Sequence, residues 1–257
     1  MSAAPGEALP APYLSLVVPA YNEEGRLPDT FRLIDEYLGG LPFAGELILV
    51  DDGSTDATAA IAGGFKPRSR NVRMRILSHG SNRGKGAAVR TGCLAAEGEY
   101  VVFTDADLAA PLSEVGRILA ALEAGADLAA GSRVHAGGQD MRRTQPTYRQ
   151  AAGRLFTFAR RRLAMSEIRD TQCPLKGFRR EAASRLFAAQ RLWGWAFDVE
   201  ILYLARRFGL RVVEVPIEWR HVGGSHLRAD LLTGLSVLWD LIRVRWMHRR
   251  TRPGAGP

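Results

Sequence analysis

Short, apolar-rich runs recur along the first half of the chain at residues 14–19, 46–51, 73–78 and 100–105, and polar or acidic residues follow each one. Runs of this length predict strands, and those with little alternation predict strands buried on both faces. Between them, at residues 24–38, 56–62, 84–96 and 112–124, apolar positions return every three or four residues, which predicts helices. A further strand at residues 127–131 continues the alternation. Strand, helix, strand in steady order predicts an α/β protein: a mainly parallel sheet flanked by helices, with right-handed crossovers.

After Arg133 the pattern changes. Residues 146–165 form a basic, helix-like segment, 197–207 predict a helix and 211–217 a strand, with no linker between the halves. In residues 227–250, Leu231, Leu232, Leu235, Leu238, Trp239, Ile242 and Trp246 recur at helical spacing, with arginines gathered toward the end. Such a helix docks on the core or rests, tryptophan beside arginine, on a membrane surface. The expected organisation is a flexible leader at 1–12, one domain at 13–226, an amphipathic helix at 227–250 and a flexible tail at 251–257.

The 257 residues suit one large domain, and 46% apolar with 24% charged residues is a globular balance. A formal charge of +8 asks for an anionic partner. No run approaches the roughly 18–20 apolar residues of a membrane span, and the first residues lack the pattern of a secretory signal. Cys93 and Cys173 make neither a disulfide framework nor a zinc site, so a reducing, cytoplasmic setting is expected.

The chemistry gathers at strand ends. Asp51-Asp52-Gly53-Ser54 and Asp105-Ala106-Asp107 both follow apolar runs, where open α/β sheets bind ligands. Neighbouring carboxylates repel unless a cation or hydrogen-bond donors lie between them. Alternating Asp105 and Asp107 suit Mg2+ or Mn2+, which takes one or two protein carboxylates and completes its shell from water and phosphate oxygens. On local physics alone, Asn22 caps the first helix with Glu23 and Glu24 at its positive end, and Ser54 or Thr55 caps the second. The Ser81–Gly86 loop lacks the spacing of a P-loop, and no GxGxxG follows the first strand. Lys85 remains a charge fit for a nucleotide.

Together these segments resemble glycosyltransferase family 2, inverting enzymes of the GT-A (Rossmann-like) fold that use nucleotide sugars. Residues 18–23, 50–54, 82–86 and 105–107 carry the resemblance. Residues 131–133, 170–176 and 195–200 look like its dolichyl-phosphate β-glucosyltransferase branch. The resemblance implies that Pro19, Ala20, Tyr21, Glu23, Asp52, Lys85 and Asp105 line the nucleotide-sugar site, with Asp52 at the base or ribose. It implies that Asp105 and Asp107 hold the diphosphate through Mg2+ or Mn2+, and that Arg133, Arg149 and Lys176 meet an acceptor phosphate. Two departures stand out: Pro174 where the branch often has glycine, and an N-terminal anchor of many eukaryotic members that this sequence lacks.

A phosphate monoester has a second pKa near 6, so at neutral pH it is already nucleophilic and needs no strong base. Asp198 is then expected to position substrate; Asp198 and Glu200 are the base candidates if the acceptor is a hydroxyl. The expected activity is transfer of a hexose, glucose from UDP-glucose, to a polyprenyl phosphate by a peripheral protein on the cytoplasmic membrane face. GDP-mannose as donor and a hydroxyl acceptor are the nearer alternatives, and a non-enzymatic binder of anionic membranes or nucleic acid the distant one. No nucleic acid partner is expected, because the Asp105 and Asp107 carboxylates weaken a polyanion site.

Overall fold

The structure, a computed structural model, describes residues 10–134, 168–220 and 243–249. The expected segment 146–165, Arg149 and residues 227–242 lie outside the described residues. The strands are β1 (Leu14–Ala20), β2 (Gly45–Asp51), β3 (Val72–Ser78), β4 (Tyr100–Phe103), β5 (Leu128–Ser132), β6 (Lys176–Arg179) and β7 (Val212–Pro216). The helices are α1 (Leu27–Gly39), α2 (Thr58–Gly64), α3 (Lys85–Ala95), α4 (Ser113–Glu123), α5 (Arg180–Ala189) and α6 (Phe197–Arg207).

One seven-stranded sheet runs in the order β3-β2-β1-β4-β6-β5-β7. Every pairing is parallel except the two made by β6, which lies antiparallel between β4 and β5. β2 is buried along its whole length, as its Leu47–Val50 run requires. Helices cover both faces. α3, α5 and α6 pack on one through Val89, Phe187, Phe197 and Leu202; α1 and α4 pack on the other through Phe31, Ile34, Ile118 and Leu122.

The chain order reverses at β1 and β4, so a crevice opens beyond their carboxyl ends. β6 enters from the opposite direction, and its first residue, Lys176, pairs with Phe103 on one side and Ala130 on the other. The carboxyl ends of β1, β2, β4 and β5 and the amino end of β6 therefore share one edge.

Helix starts differ from the sequence expectation. α1 begins at Leu27 because the Glu23 carbonyl closes a tight turn with the amides of Arg26 and Leu27. Asn22, at φ 55°, does not cap α1; its Oδ1 accepts from Thr55 N at 2.8 Å. Ser54 Oγ accepts in turn from Asn22 N at 3.0 Å, and Thr58 Oγ1 from Glu23 N at 2.8 Å. The loops after β1 and β2 thus satisfy each other's amides across the crevice. At the other end of the described chain, residues 243–247 form a helical turn docked on the core through buried Val244 and His248, with Trp246 exposed. Among the described residues no helix is long and apolar enough to cross a membrane.

Candidate active site

At the end of β2 the paired aspartates divide their work. Asp51 Oδ1 accepts from Ser54 N at 3.1 Å and closes the turn. Gly53 sits at φ 72°, and a Cβ there would lie 2.4 Å from the Ser81 carbonyl carbon, so only glycine lets this turn approach the 81–84 loop. Asp52 is buried and reaches across to that loop: Oδ1 takes His79 Nδ1 at 2.6 Å and Arg83 N at 3.0 Å, and Oδ2 takes Gly84 N at 2.8 Å. His79 Nε2 lies 2.9 Å from Thr91 Oγ1 on α3. A carboxylate offers about four acceptor sites. Three of Asp52's are committed to the protein, a burden the expectation of base or ribose contact did not include. His79 escaped the sequence reading, although its place one residue past β3 puts it at the same edge.

Pro19 and Ala20 pair with Val50 and Asp51 in the β1–β2 register, and Tyr21 beyond them is 39% exposed. Glu23 binds Arg26 Nη1 at 2.8 Å. These positions form one wall of the crevice, with Tyr21 open to a ligand.

Three charge pairs follow along the edge. Lys85, the first residue of α3, is ion-paired with Asp105 and lies 5.0 Å from the Trp195 ring centroid. Burial works against the Lys85 ammonium, but the carboxylates of Asp105, Asp198 and Asp107 outweigh it and raise its pKa. Lys176 is fully buried; its Nζ donates to Asp198 Oδ1 at 2.6 Å and to the Cys173 carbonyl at 2.7 Å. Burial raises the Asp198 pKa, and the Lys176 and Lys85 ammonium groups hold it back. Arg133 grips buried Asp170 through Nε at 2.6 Å, Nη2 at 2.8 Å and its own amide at 3.0 Å, with its guanidinium 5.5 Å from the Trp219 ring centroid. Burial opposes the guanidinium charge and Asp170 more than restores it.

This geometry corrects two expectations. Lys176 does not present an exposed ammonium to an acceptor phosphate; its charge is enclosed and spent on orienting Asp198. Glu200 is no base candidate, because its oxygens take the amides of Arg191 and Leu192 at 2.9 and 2.8 Å and His248 Nε2 at 2.6 Å. Asp170, which ties down Arg133, was part of a recognised segment but had no assigned role.

Asp105 and Asp107 occupy the turn after β4, closed by Leu108 N donating to the Asp105 carbonyl at 3.1 Å. Asp105 Oδ1 is the oxygen that meets the Lys85 ammonium. Asp107 Oδ1 takes Ala109 N at 3.0 Å, and burial followed by the Asp105 charge raises its pKa. Among the described residues no group of three or more metal-ligating side chains occurs. Two neighbouring carboxylates at the sheet edge, one met by Lys85 and the other by a single backbone amide, fit a hard cation that draws the rest of its shell from phosphate and water, and do not fit a closed protein cage.

An acidic turn beside Lys85, at the switch point of a mixed sheet with a single reversed strand, has the architecture of the GT-A fold. The chain belongs to glycosyltransferase family 2: residues 15–187 match the profile described as Glycosyl transferase family 2. It is similar to "Dolichyl-phosphate beta-glucosyltransferase" of Drosophila melanogaster, 39% identical over 86% of this chain and 71% of that one. The human protein of the same name is 36% identical over 95% of this chain and 80% of that one. Among solved structures, glucosyl-3-phosphoglycerate synthase from Mycobacterium tuberculosis in complex with Mn2+, UDP and glucosyl-3-phosphoglycerate matches with a TM-score of 0.63 and 22% identity, over 95% of this chain and 82% of that one. The mannosyltransferase PcManGT from Pyrobaculum calidifontis, in complex with GDP-Man and Mn2+, matches with a TM-score of 0.58 and 20% identity over 84% of this chain and 58% of that one. These two likenesses are of fold.

Proposed function

We propose that this chain transfers glucose from UDP-glucose to a polyprenyl phosphate of the dolichyl type, with inversion, at the cytoplasmic face of a membrane. The observation that carries the reading is the set of relatives named for that acceptor and sugar, 33–39% identical and matched over at least 71% of their own length.

In this reading Pro19, Ala20, Tyr21 and Glu23 line the nucleoside pocket, and Asp52 shapes it by fixing the 83–84 amides, with one acceptor site left for the nucleoside. Lys85 and Asp105 sit at the diphosphate. Asp105 and Asp107 would hold Mg2+ or Mn2+, which supplies charge neutralisation to the departing diphosphate. Lys85 adds a fixed cation to the same developing charge. Arg133 spends Nε and Nη2 on Asp170, which leaves Nη1 for the acceptor phosphate; Arg149 is its proposed companion. Because the acceptor oxygen is already anionic, the protein's task is alignment. Asp198, held by Lys176, then positions the sugar or acceptor rather than removing a proton.

One observation favours a second reading. A buried carboxylate with a raised pKa, held by a lysine, also suits a general base, and a base implies a hydroxyl acceptor. An acceptor panel separates the two. With labelled UDP-glucose and Mn2+, polyprenyl phosphate is expected to take label and the matching polyprenol none. Label on the polyprenol, or on water-soluble hydroxyl acceptors alone, would transfer the assignment to the second reading.

A further inference from the structure

Between α3 and the 190–193 segment opens a cavity of about 380 Å³ whose lining includes none of the paired residues Lys85, Asp105, Lys176, Asp198, Arg133 and Asp170. Arg83, Arg90 and Arg191 line it, with Gln190, Thr91 and Trp193. Among the described residues, none of the three guanidiniums pairs with a carboxylate. Arg90 Nε donates to the Phe187 carbonyl at 2.8 Å, Arg191 Nη1 to the Met247 carbonyl at 3.0 Å, and Arg83 lies 4.5 Å from the Trp193 ring centroid. The acidic groups at hand are already occupied: Glu200 by the Arg191 and Leu192 amides and His248, Asp52 by His79 and the Arg83 and Gly84 amides. Three cations around one cavity, without an internal counter-charge, make a receptor for an anion.

Gln190 braces the cavity wall. It is 5% exposed, and its Nε2 donates to the carbonyls of Gly86 at 2.9 Å and Leu192 at 2.6 Å. Carbonyls only accept, so the amide orientation is fixed and Oε1 is the acceptor. That oxygen is buried with no partner. The cavity therefore offers guanidinium donors to anionic oxygens, as a phosphate monoester requires.

We propose that this cavity binds a phosphate monoester at a site separate from the acidic edge. The monoester is either a free phosphate or the headgroup of a lipid, and the site reaches the catalytic loop through Arg83, whose neighbours Gly84 and Lys85 belong to it. The proposal does not depend on the transferase reading.

The test uses the full chain without donor or metal. Inorganic phosphate binding is measured by calorimetry, and lipid binding by flotation with phosphatidylcholine vesicles containing or lacking phosphatidic acid. Arg90→Gln and Arg191→Gln are each expected to weaken phosphate binding about tenfold, while Arg191→Lys retains most of it and Arg117→Gln, on α4, changes nothing. Parallel loss of phosphatidic acid binding in the two glutamine variants identifies the lipid source. Loss of inorganic phosphate binding with vesicle binding unchanged identifies the free source. The proposal is overturned if the wild-type chain binds neither probe above the phosphatidylcholine control, or if the Arg90 and Arg191 variants, folded by their melting curves, bind as the wild type does. Either failure leaves glucosyl transfer untouched, since no donor is present.

Discussion

Lys176 and Asp198 form a buried ion pair beneath the crevice, and replacing Lys176 by Met tests what that pair does. Lys176 is fully enclosed and Asp198 nearly so, so the variant strands a carboxylate with little access to water. Breaking one side of such a pair costs about 3–5 kcal/mol. For a chain of this size each kcal/mol corresponds to about 2–4 °C, so melting should fall by roughly 6–20 °C. The Cys173 carbonyl loses its partner too, adding a cost that a second change at Asp198 does not remove. Lys176→Met with Asp198→Leu should therefore recover most, but not all, of the loss, giving a coupling of about 2 kcal/mol or more. Guanidinium unfolding followed by tryptophan fluorescence reads it, the chain having five tryptophans. A single-variant cost below about 1 kcal/mol, or two additive changes, would refute the claim that Lys176 exists to hold Asp198.

The same variant should move the pH profile. Burial raises the Asp198 pKa and Lys176 opposes that rise, so without the ammonium the pKa climbs further and the carboxylate protonates at higher pH. The acidic limb of kcat/KM should shift upward in Lys176→Met and stay in place in Lys176→Arg, measured on one acceptor so that its own titration is common to all. Asp105→Asn should lower kcat/KM on the order of 100-fold or more with little loss of melting temperature, checked by steady-state kinetics and calorimetry. Asp52→Asn cannot accept both the Arg83 and Gly84 amides, so it should cost about 1–3 kcal/mol and raise KM for the nucleotide sugar more than it lowers kcat. Arg133→Lys keeps the charge but loses the two-pronged grip on Asp170; a stability loss of about 1–3 kcal/mol with a raised KM for the acceptor is expected.

How far the sequence foretold this molecule follows from where each signal lies. β1 and β2 were legible because a buried strand must be apolar along its length. The helix at 197–207 was predicted with the bounds observed, its apolar period being strong. β6 was missed: four residues that open with lysine and glycine carry no strand pattern, and Lys176 is tolerable there only because Asp198 comes from 22 positions away. α5 carries a sequence signal of its own, since Ala182, Ala183, Leu186 and Phe187 recur at helical spacing and form its buried face, yet the expected elements do not include it. At the edge, residue types were readable but partners were not. Asn22 looked like the cap of its own helix because local rules see only near neighbours, whereas its partner Thr55 lies 33 positions on. Lys176 is placed at the acceptor phosphate by resemblance alone, and nothing in its sequence surroundings announces that it is enclosed.

The most direct test of the central claim is transfer itself. Purified protein, labelled UDP-glucose, Mn2+ and dolichyl phosphate are incubated, and label is followed into the organic phase beside an Asp105→Asn control. The account predicts labelled glucolipid from the wild-type chain and on the order of 100-fold less from the control. No extractable label with UDP-glucose or any other nucleotide sugar, from protein that is folded and metal-supplied, would contradict it.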